Sequence, residues 1–187
     1  MSNIEISDED LVKLVQDSGG NGFEEILERY QEKIFTYVNR LLKDGDMADD
    51  VAQNTFISAY ENINSFDTNK KFSSWIYRIA HNKAINEIRS RKKTQALDEN
   101  IEALSKEDAK NIQEKIDRYT ARKILEINLK TLPIKYQEPI ILKYFEEKSY
   151  EEISDILKIP TSTAGVRLRR GLNRLRKTIN FKIEDYL

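Results

Sequence analysis

The sequence predicts an all-α protein: two small helical domains joined by a linker, with a helix-turn-helix in the C-terminal domain. Three observations predict this. Glycine and proline are scarce, six and three in 187 residues, so few positions break a helix. Charged residues make up 34% of the chain and hydrophobic ones 39%, which suits amphipathic helices around ordinary cores. Apolar residues recur at helical spacing in one segment after another.

Composition also sets limits. The length suits one domain or two small ones. With no cysteine, disulfides and thiolate metal sites are excluded, and no cofactor is expected. The acidic N-terminus has no basic-then-apolar signal, and no run reaches membrane-spanning length. A soluble cytoplasmic protein, with no direct membrane insertion, is therefore expected. Charge is unevenly spread. Residues 1–62 hold fourteen acids and five bases, whereas residues 67–93 hold eight bases and two acids. Separate acidic and basic surfaces suggest two kinds of partner, one of them polyanionic.

The N-terminal domain spans residues 1–93. Residues 7–16 read as a short helix started by a Ser7/Asp8 cap, and residues 18–22, SGGNG, as a turn. A longer helix runs from Phe23 to about Lys43, with Phe23, Ile26, Leu27, Tyr30, Ile34, Tyr37, Val38 and Leu41 as its buried stripe. Gly45 breaks it, and Asp46 is expected to cap the next helix, which runs to about Ile63. There Val51, Phe56, Ala59 and Tyr60 point to the core, and Gln53 outward. Asp44, Asp46, Asp49 and Asp50 lack the alternation of a calcium loop and suit a helix start instead. After a loop at residues 65–69 comes FSSWIYRIAHNKAINEIRSRKK, residues 72–93. Ile76, Tyr77, Ala80, Ala84 and Ile88 form its inner face. Trp75, Arg78, Asn82, Asn86, Arg89 and Lys93 line the other. An indole, amides and guanidinium groups on one face suit unstacked single-stranded bases, which stack, pair at their edges and carry phosphate. Against this stands the ordinary tendency of tryptophan to be well buried. His81, the only histidine, has no partners for a metal or a triad and reads as an ordinary helix residue.

Residues 94–118, with seven acids, four bases and few apolar anchors, form the linker. The C-terminal domain, residues 119–187, opens with a helix over 119–130 marked by Ile124, Leu125 and Leu129, stopped at Leu132-Pro133. A further helix covers 135–145, tolerating Pro139 in its first turns. Residues 149–177 carry the helix-turn-helix. Ser149 and Glu152 make a capping-box pattern, and Tyr150, Ile153, Ile156 and Leu157 an apolar face. Ile159-Pro160 ends that helix, and Thr161 or Ser162 is expected to cap the next. In that last helix Ala164, Leu168, Gly171, Leu172, Leu175 and Ile179 share one side. Ser162, Val166, Arg169, Arg170, Asn173 and Lys177 share the other, flanked by Arg167 and Arg174. A packed helix with an outward basic face suits the major groove, where arginine reads guanine.

Two blocks carry a resemblance that covers nearly the whole chain in order. DDVAQNTFISAYENINSFD with KFSSWIYRIAHNKAINEIRSRKK resembles the second conserved region of bacterial extracytoplasmic-function (ECF) sigma factors. LPIKYQEPIILKYFEEKSYEEISDILKIPTSTAGVRLRRGLNRLR resembles the fourth. The resemblance implies a non-enzymatic promoter-specificity subunit of RNA polymerase. It implies that Asp49, Asp50, Gln53 and Phe56 dock on the clamp coiled coil of core polymerase, and that the C-terminal domain meets the flap. It implies that Trp75, Asn82, Lys83, Asn86 and Arg89 capture the opened minus-ten strand, with Ser65 and Phe66 in the segment that pockets a flipped base. The last helix would read the minus-thirty-five duplex. Where the family usually has Thr-Val-Lys-Ser-Arg, this chain has Thr163-Ala164-Gly165-Val166-Arg167, with Arg170 at the later arginine place. Gly165 brings no side chain, so base reading is expected to rest on Val166, Arg169 and Arg170. An anti-sigma factor is an expected partner, and the free chain is expected to be a monomer. A stand-alone helix-turn-helix repressor or activator is the alternative, but it leaves the Trp75 helix unused. With no glycine-rich phosphate loop or carboxylate cluster, an enzyme is not favoured.

Overall fold

A computed structural model describes residues 6–95, 118–177 and 179. The expected linker lies almost wholly outside them. Among the described residues the fold is all-helical, with eight α-helices and one 3-10 turn.

The N-terminal half holds α1 (Asp8–Asp17), α2 (Phe23–Leu42), α3 (Gly45–Asn62) and α4 (Phe72–Gln95). Ser7 caps α1 by accepting from the Asp10 amide, as its sequence position predicts. Gly20 turns the chain at φ 106°, a left-handed value that suits glycine. A Cβ there would also lie 2.7 Å from the Tyr60 hydroxyl. The stripe of α2 is buried at Ile26, Tyr30, Ile34, Tyr37, Val38 and Leu41, but Leu27 stays 36% exposed and Phe23 half-buried. Lys43 closes α2 in a left-handed conformation (φ 60°). The next cap is Asp44, not the expected Asp46: its carboxylate accepts from the Met47 amide at 3.1 Å. Gly45 thus begins α3 instead of only ending α2, because nothing prevents glycine from taking helical angles at a first turn. The Asp44 carboxyl is held below its usual range by hydrogen bonds from Arg91 and the Met47 amide.

The C-terminal half holds α5 (Arg118–Leu129), α6 (Ile134–Tyr144), α7 (Tyr150–Leu157) and α8 (Thr161–Leu175). Arg122 ties α5 to the end of α6 by donating to the Tyr144 carbonyl oxygen at 3.0 Å. The predicted capping box of α7 forms in full: the Glu152 amide donates to Ser149 Oγ and the Ser149 amide to Glu152 Oε2. Lys158 ends α7 at φ 51°. The start of α8 differs from expectation. Pro160 takes the cap position, so neither Thr161 nor Ser162 caps it, because both already lie in the first helical turn. Ala164, Leu168, Gly171, Leu172 and Leu175 then pack inward, and Ile179 is buried beyond the helix end.

The two halves are docked. α7 lies on α4, and α6 meets α2. No helix among the described residues is long and apolar enough to cross a membrane.

Candidate nucleic-acid and polymerase interface

Three helix faces carry the candidate residues. On α3, Asp49, Asp50 and Gln53 are exposed, and the Gln53 amide donates to Asp49 Oδ2 at 2.8 Å. Phe56 is not on that face. It is 8% exposed and packs into the core, so its part in any docking is to support the helix from behind. In the other direction, Tyr60 was expected inside and is 50% exposed, with its ring edge-on to Phe23. Ile57 is 55% exposed. The Asp49, Gln53, Ile57 spacing of four residues puts an apolar side chain on the same outward stripe. That spacing was readable, but an isoleucine directly after a core phenylalanine does not announce itself as surface.

α4 begins from a firmly held loop. Gln16 Nε2 donates to the carbonyl oxygens of Ile63 and Phe66, at 2.7 and 3.0 Å. The Phe72 amide donates to Glu9 Oε1 at 3.0 Å. Ser65 is exposed, its hydroxyl donating to the Asn62 carbonyl oxygen. Phe66, the neighbour of Ser65 in the expected base-pocketing segment, faces inward. It is 6% exposed and packs against Phe72 and Trp75, with ring centroids 5.5 and 5.2 Å away. A phenylalanine three residues after a buried isoleucine has a core to join, and here it does. Trp75 is half-buried: one side of the indole rests on this aromatic cluster. Asn82, Asn86 and Arg89 are exposed, and Lys83 is half-buried. Lys93, in the last turn of α4, lies beyond the described side chains. Arg78 is half-buried and already engaged, its guanidinium 3.0 Å from Asp155 on α7.

α8 shows the expected two-sided build. Ser162, Val166, Arg169, Arg170, Asn173, Arg174 and Lys177 are exposed, while Thr163, Gly165 and Arg167 are half-buried. A Cβ on Gly165 would make only ordinary contact with Tyr150, at 3.8 Å, so packing does not require glycine there. Arg167 leans toward Glu138 of α6, at 4.0 Å, and the Arg174 guanidinium stacks on the Tyr136 ring at 4.9 Å. No cluster of histidine and acidic residues suited to a metal occurs among the described residues.

His81, read from the sequence as an ordinary helix residue, lies in the core of the fold. It is buried, its Nδ1 3.1 Å from the Tyr37 hydroxyl and its Nε2 3.8 Å from Glu138. Burial, with a smaller push from Arg89, lowers its imidazole to about 4, so it is neutral near pH 7. Burial raises the Glu138 carboxyl to about 7 against the pull of Arg167 and Arg89.

Comparison with known proteins adds an independent line. Residues 26–94 match the family described as Sigma-70 region 2, and residues 129–175 that described as Sigma-70, region 4. The chain is 37% identical over 182 residues to the ECF RNA polymerase sigma factor SigW of Bacillus subtilis, covering 90% of this chain and 94% of that protein. It is 30% identical over 191 residues to the ECF RNA polymerase sigma-E factor of Escherichia coli, covering 98% and 97%. In fold it is similar to CnrH, solved with the cytosolic domain of CnrY, at TM-score 0.69 and 20% identity over 92% of this chain and 97% of that one. It is also similar in fold to the sigma factor RpoE of Bartonella quintana, solved with the anti-sigma factor NepR, at TM-score 0.65 and 24% identity, covering 83% and 94%.

Proposed function

Because the chain belongs to the extracytoplasmic-function family of RNA polymerase sigma factors, we propose how its surfaces divide the work of promoter recognition. The outward stripe of α3, Asp49, Asp50, Gln53 and Ile57, meets the clamp coiled coil of core polymerase, with Phe56 setting the stripe from within. The outer face of α4 takes the melted minus-ten strand. Trp75 offers the free side of its indole for stacking, Asn82 and Asn86 offer amides to base edges, and Lys83, Arg89 and Arg78 hold phosphate. α8 lies in the major groove of the minus-thirty-five duplex, with Val166, Arg169 and Arg170 toward base edges. Ser162, Thr163, Arg167, Asn173, Arg174 and Lys177 flank them along the backbone. The C-terminal half also meets the polymerase flap. The chain catalyses nothing itself; its contribution is binding energy placed at two promoter sites, linked so that the second site engages at high effective concentration. The similar fold of RpoE, solved with the anti-sigma factor NepR, supports a protein of that kind as the regulator.

What carries this reading is the two-sidedness of α8, five residues buried against the fold and seven exposed polar, basic or methyl-bearing residues opposite them. A stand-alone regulator would use that helix but leave Asn82 and Asn86 without a task.

Run-off transcription with core polymerase and a promoter pool tests the reading. The full chain is expected to select a subset of promoters. The Asn82→Ala/Asn86→Ala chain is expected to keep its folded stability within about 0.5 kcal/mol, since both residues are on the surface, and to lose open-complex formation. Arg170→Ala is expected to cost about 1–3 kcal/mol of discrimination at one upstream base pair. An equal loss on every upstream sequence would show Arg170 holding phosphate only. No transcript with any promoter would overturn the reading.

A further inference from the structure

Trp75 is the only tryptophan in the chain. The inner side of its indole rests on two phenylalanines, with ring centroids 5.2 Å away for Phe66 and 5.6 Å for Phe72. Both of those rings are buried, and they stand edge-on to each other at 5.5 Å. Helix α1 grips the backbone at each of them. Gln16 Nε2 spends its two N–H groups on the carbonyl oxygens of Phe66 and Ile63, at 3.0 and 2.7 Å. Glu9 Oε1 accepts at 3.0 Å from the Phe72 amide, which opens α4 and has no acceptor inside its own helix. Glu9 and Gln16 lie two turns apart on one face of α1, and both are half-buried. Leu11, Val12 and Val15 already anchor α1 in the core, so these two polar side chains are not needed to attach it.

We propose that Glu9 and Gln16 are positioning residues for capture of the melted strand: they fix the backbone at Phe66 and Phe72, and so the angle at which Trp75 presents its free side to a base. Helix α4 by itself sets only where the Trp75 backbone lies. Phe66 is outside α4, beyond residues 67–71, so its place under the indole depends on what holds the 3-10 turn at residues 63–65. Gln16 holds that turn at its first residue and just past its last, and the exposed Ser65 is carried with it. A platform held in advance loses less side-chain freedom when a base arrives, and that saving appears as affinity. Helix α1 precedes residues 26–94, which match Sigma-70 region 2, so the contribution comes from ahead of the matched stretch. The bearing on strand capture rests on the reading of α4 given above; the packing of the indole does not.

The test uses the full chain and reads Trp75 directly, since no other indole emits. Gln16→Met keeps the side-chain length and removes the donors. Glu9→Ala removes the acceptor, and Glu9→Gln keeps one. In the free chain, Gln16→Met and Glu9→Ala are each expected to raise acrylamide quenching of Trp75 and shift its emission to the red, while Glu9→Gln stays near wild type. With core polymerase, binding to a fork template with a single-stranded minus-ten segment is expected to weaken on the order of tenfold, the scale of one lost base stack. Binding to an upstream duplex fragment is expected to hold. In a Trp75→Ala chain, Gln16→Met should add little, because it acts through an indole already removed. Val38→Ala truncates the core of α2 two turns beyond Tyr30, the α2 ring that meets Phe72. It lowers stability, read by urea titration, but should move neither quenching nor the ratio of fork to duplex binding. Unchanged quenching in both Gln16→Met and Glu9→Ala would overturn the proposal, as would equal effects from Val38→Ala. A full further loss from Gln16→Met in the Trp75→Ala chain would show that it does not act through the indole. A loosened indole with undiminished fork binding would remove its bearing on strand capture. If the unchanged chain with core bound no fork template, the reading of α4 would fail, while quenching would still decide whether α1 positions Trp75.

Discussion

Tyr37, His81 and Glu138 form a buried run from α2 through α4 to α6, and its two titrating groups pull stability in opposite directions. His81 falls from its ordinary 6.5 to about 4, chiefly through burial. The folded chain then binds fewer protons than the unfolded one between those values, so His81 makes stability rise with pH over that window. Glu138 climbs from 4.5 to about 7, again through burial, so between those values the folded chain binds more protons and stability falls as pH rises. The two slopes oppose each other from about pH 4.5 to 6.5. Glu138→Gln keeps the shape and removes the Glu138 part of the falling arm, leaving that of Glu146, whose carboxyl burial also raises. Its urea midpoint is expected to rise relative to wild type as pH goes from 4.5 to about 7, and to decline less than wild type between pH 6.5 and 7.5. Urea titrations at half-unit pH steps check both slopes. None of this was legible in the sequence. A single histidine on a helix gives no hint of a glutamate 57 residues away, whereas the exposed positions Asn82, Asn86, Arg169 and Arg170 follow from helical phase alone.

At the scale of elements, the sequence was most informative where periodicity and capping chemistry act locally. The capping box at Ser149 and Glu152, the Ser7 cap and the inward stripe of α8 are all local statements, and the structure shows each one. It was less informative where neighbours compete for one role. Asp44 took the α3 cap from Asp46, and Pro160 took the α8 cap position ahead of two hydroxyl residues. Tyr60 left its expected place in the core while Phe66 of the following loop entered it, since an aromatic side chain goes wherever the nearest core has room. Gly171 gives the sharpest element-level prediction. A Cβ there would lie 2.7 Å from Ile140 Cδ1 and 3.2 Å from both Cβ and the carbonyl oxygen of Tyr136 on α6. The isoleucine methyl can rotate away, but the backbone oxygen cannot move without α6. Gly171→Ala gains helix propensity of about 1 kcal/mol, yet overpacking typically costs about 1–3 kcal/mol. The net expectation is a destabilised C-terminal half, read as a lowered urea midpoint. A stabilised variant would mean that α6 and α8 slide apart freely.

For the whole molecule, two helical halves on a linker were legible from the loss of apolar anchors over residues 94–118 and the return of helical periodicity after it, but their docking was not. Arg40 and Glu146 are 106 residues apart, and an ion pair leaves no periodic trace in a sequence. The same chemistry makes the docking sensitive to salt. The Arg78–Asp155 and Arg40–Glu126 pairs are partly solvated, with side chains 25% and 43%, and 20% and 49%, exposed. Such pairs weaken as the screening length falls from about 30 Å at 0.01 M salt to about 3 Å at 1 M. Glu146 is screened less, because it is enclosed. A docked chain of this length should have a radius of gyration of about 16 Å. X-ray scattering of the free chain is expected to give a value near that at low salt and a larger one as salt rises, as the outer pairs loosen and the two halves part. Glu146→Lys should already be expanded at low salt and change little on adding more. A wild-type radius that stays compact at every salt concentration would mean that apolar packing, not charge, holds the halves together, and Glu146→Lys would then stay compact as well.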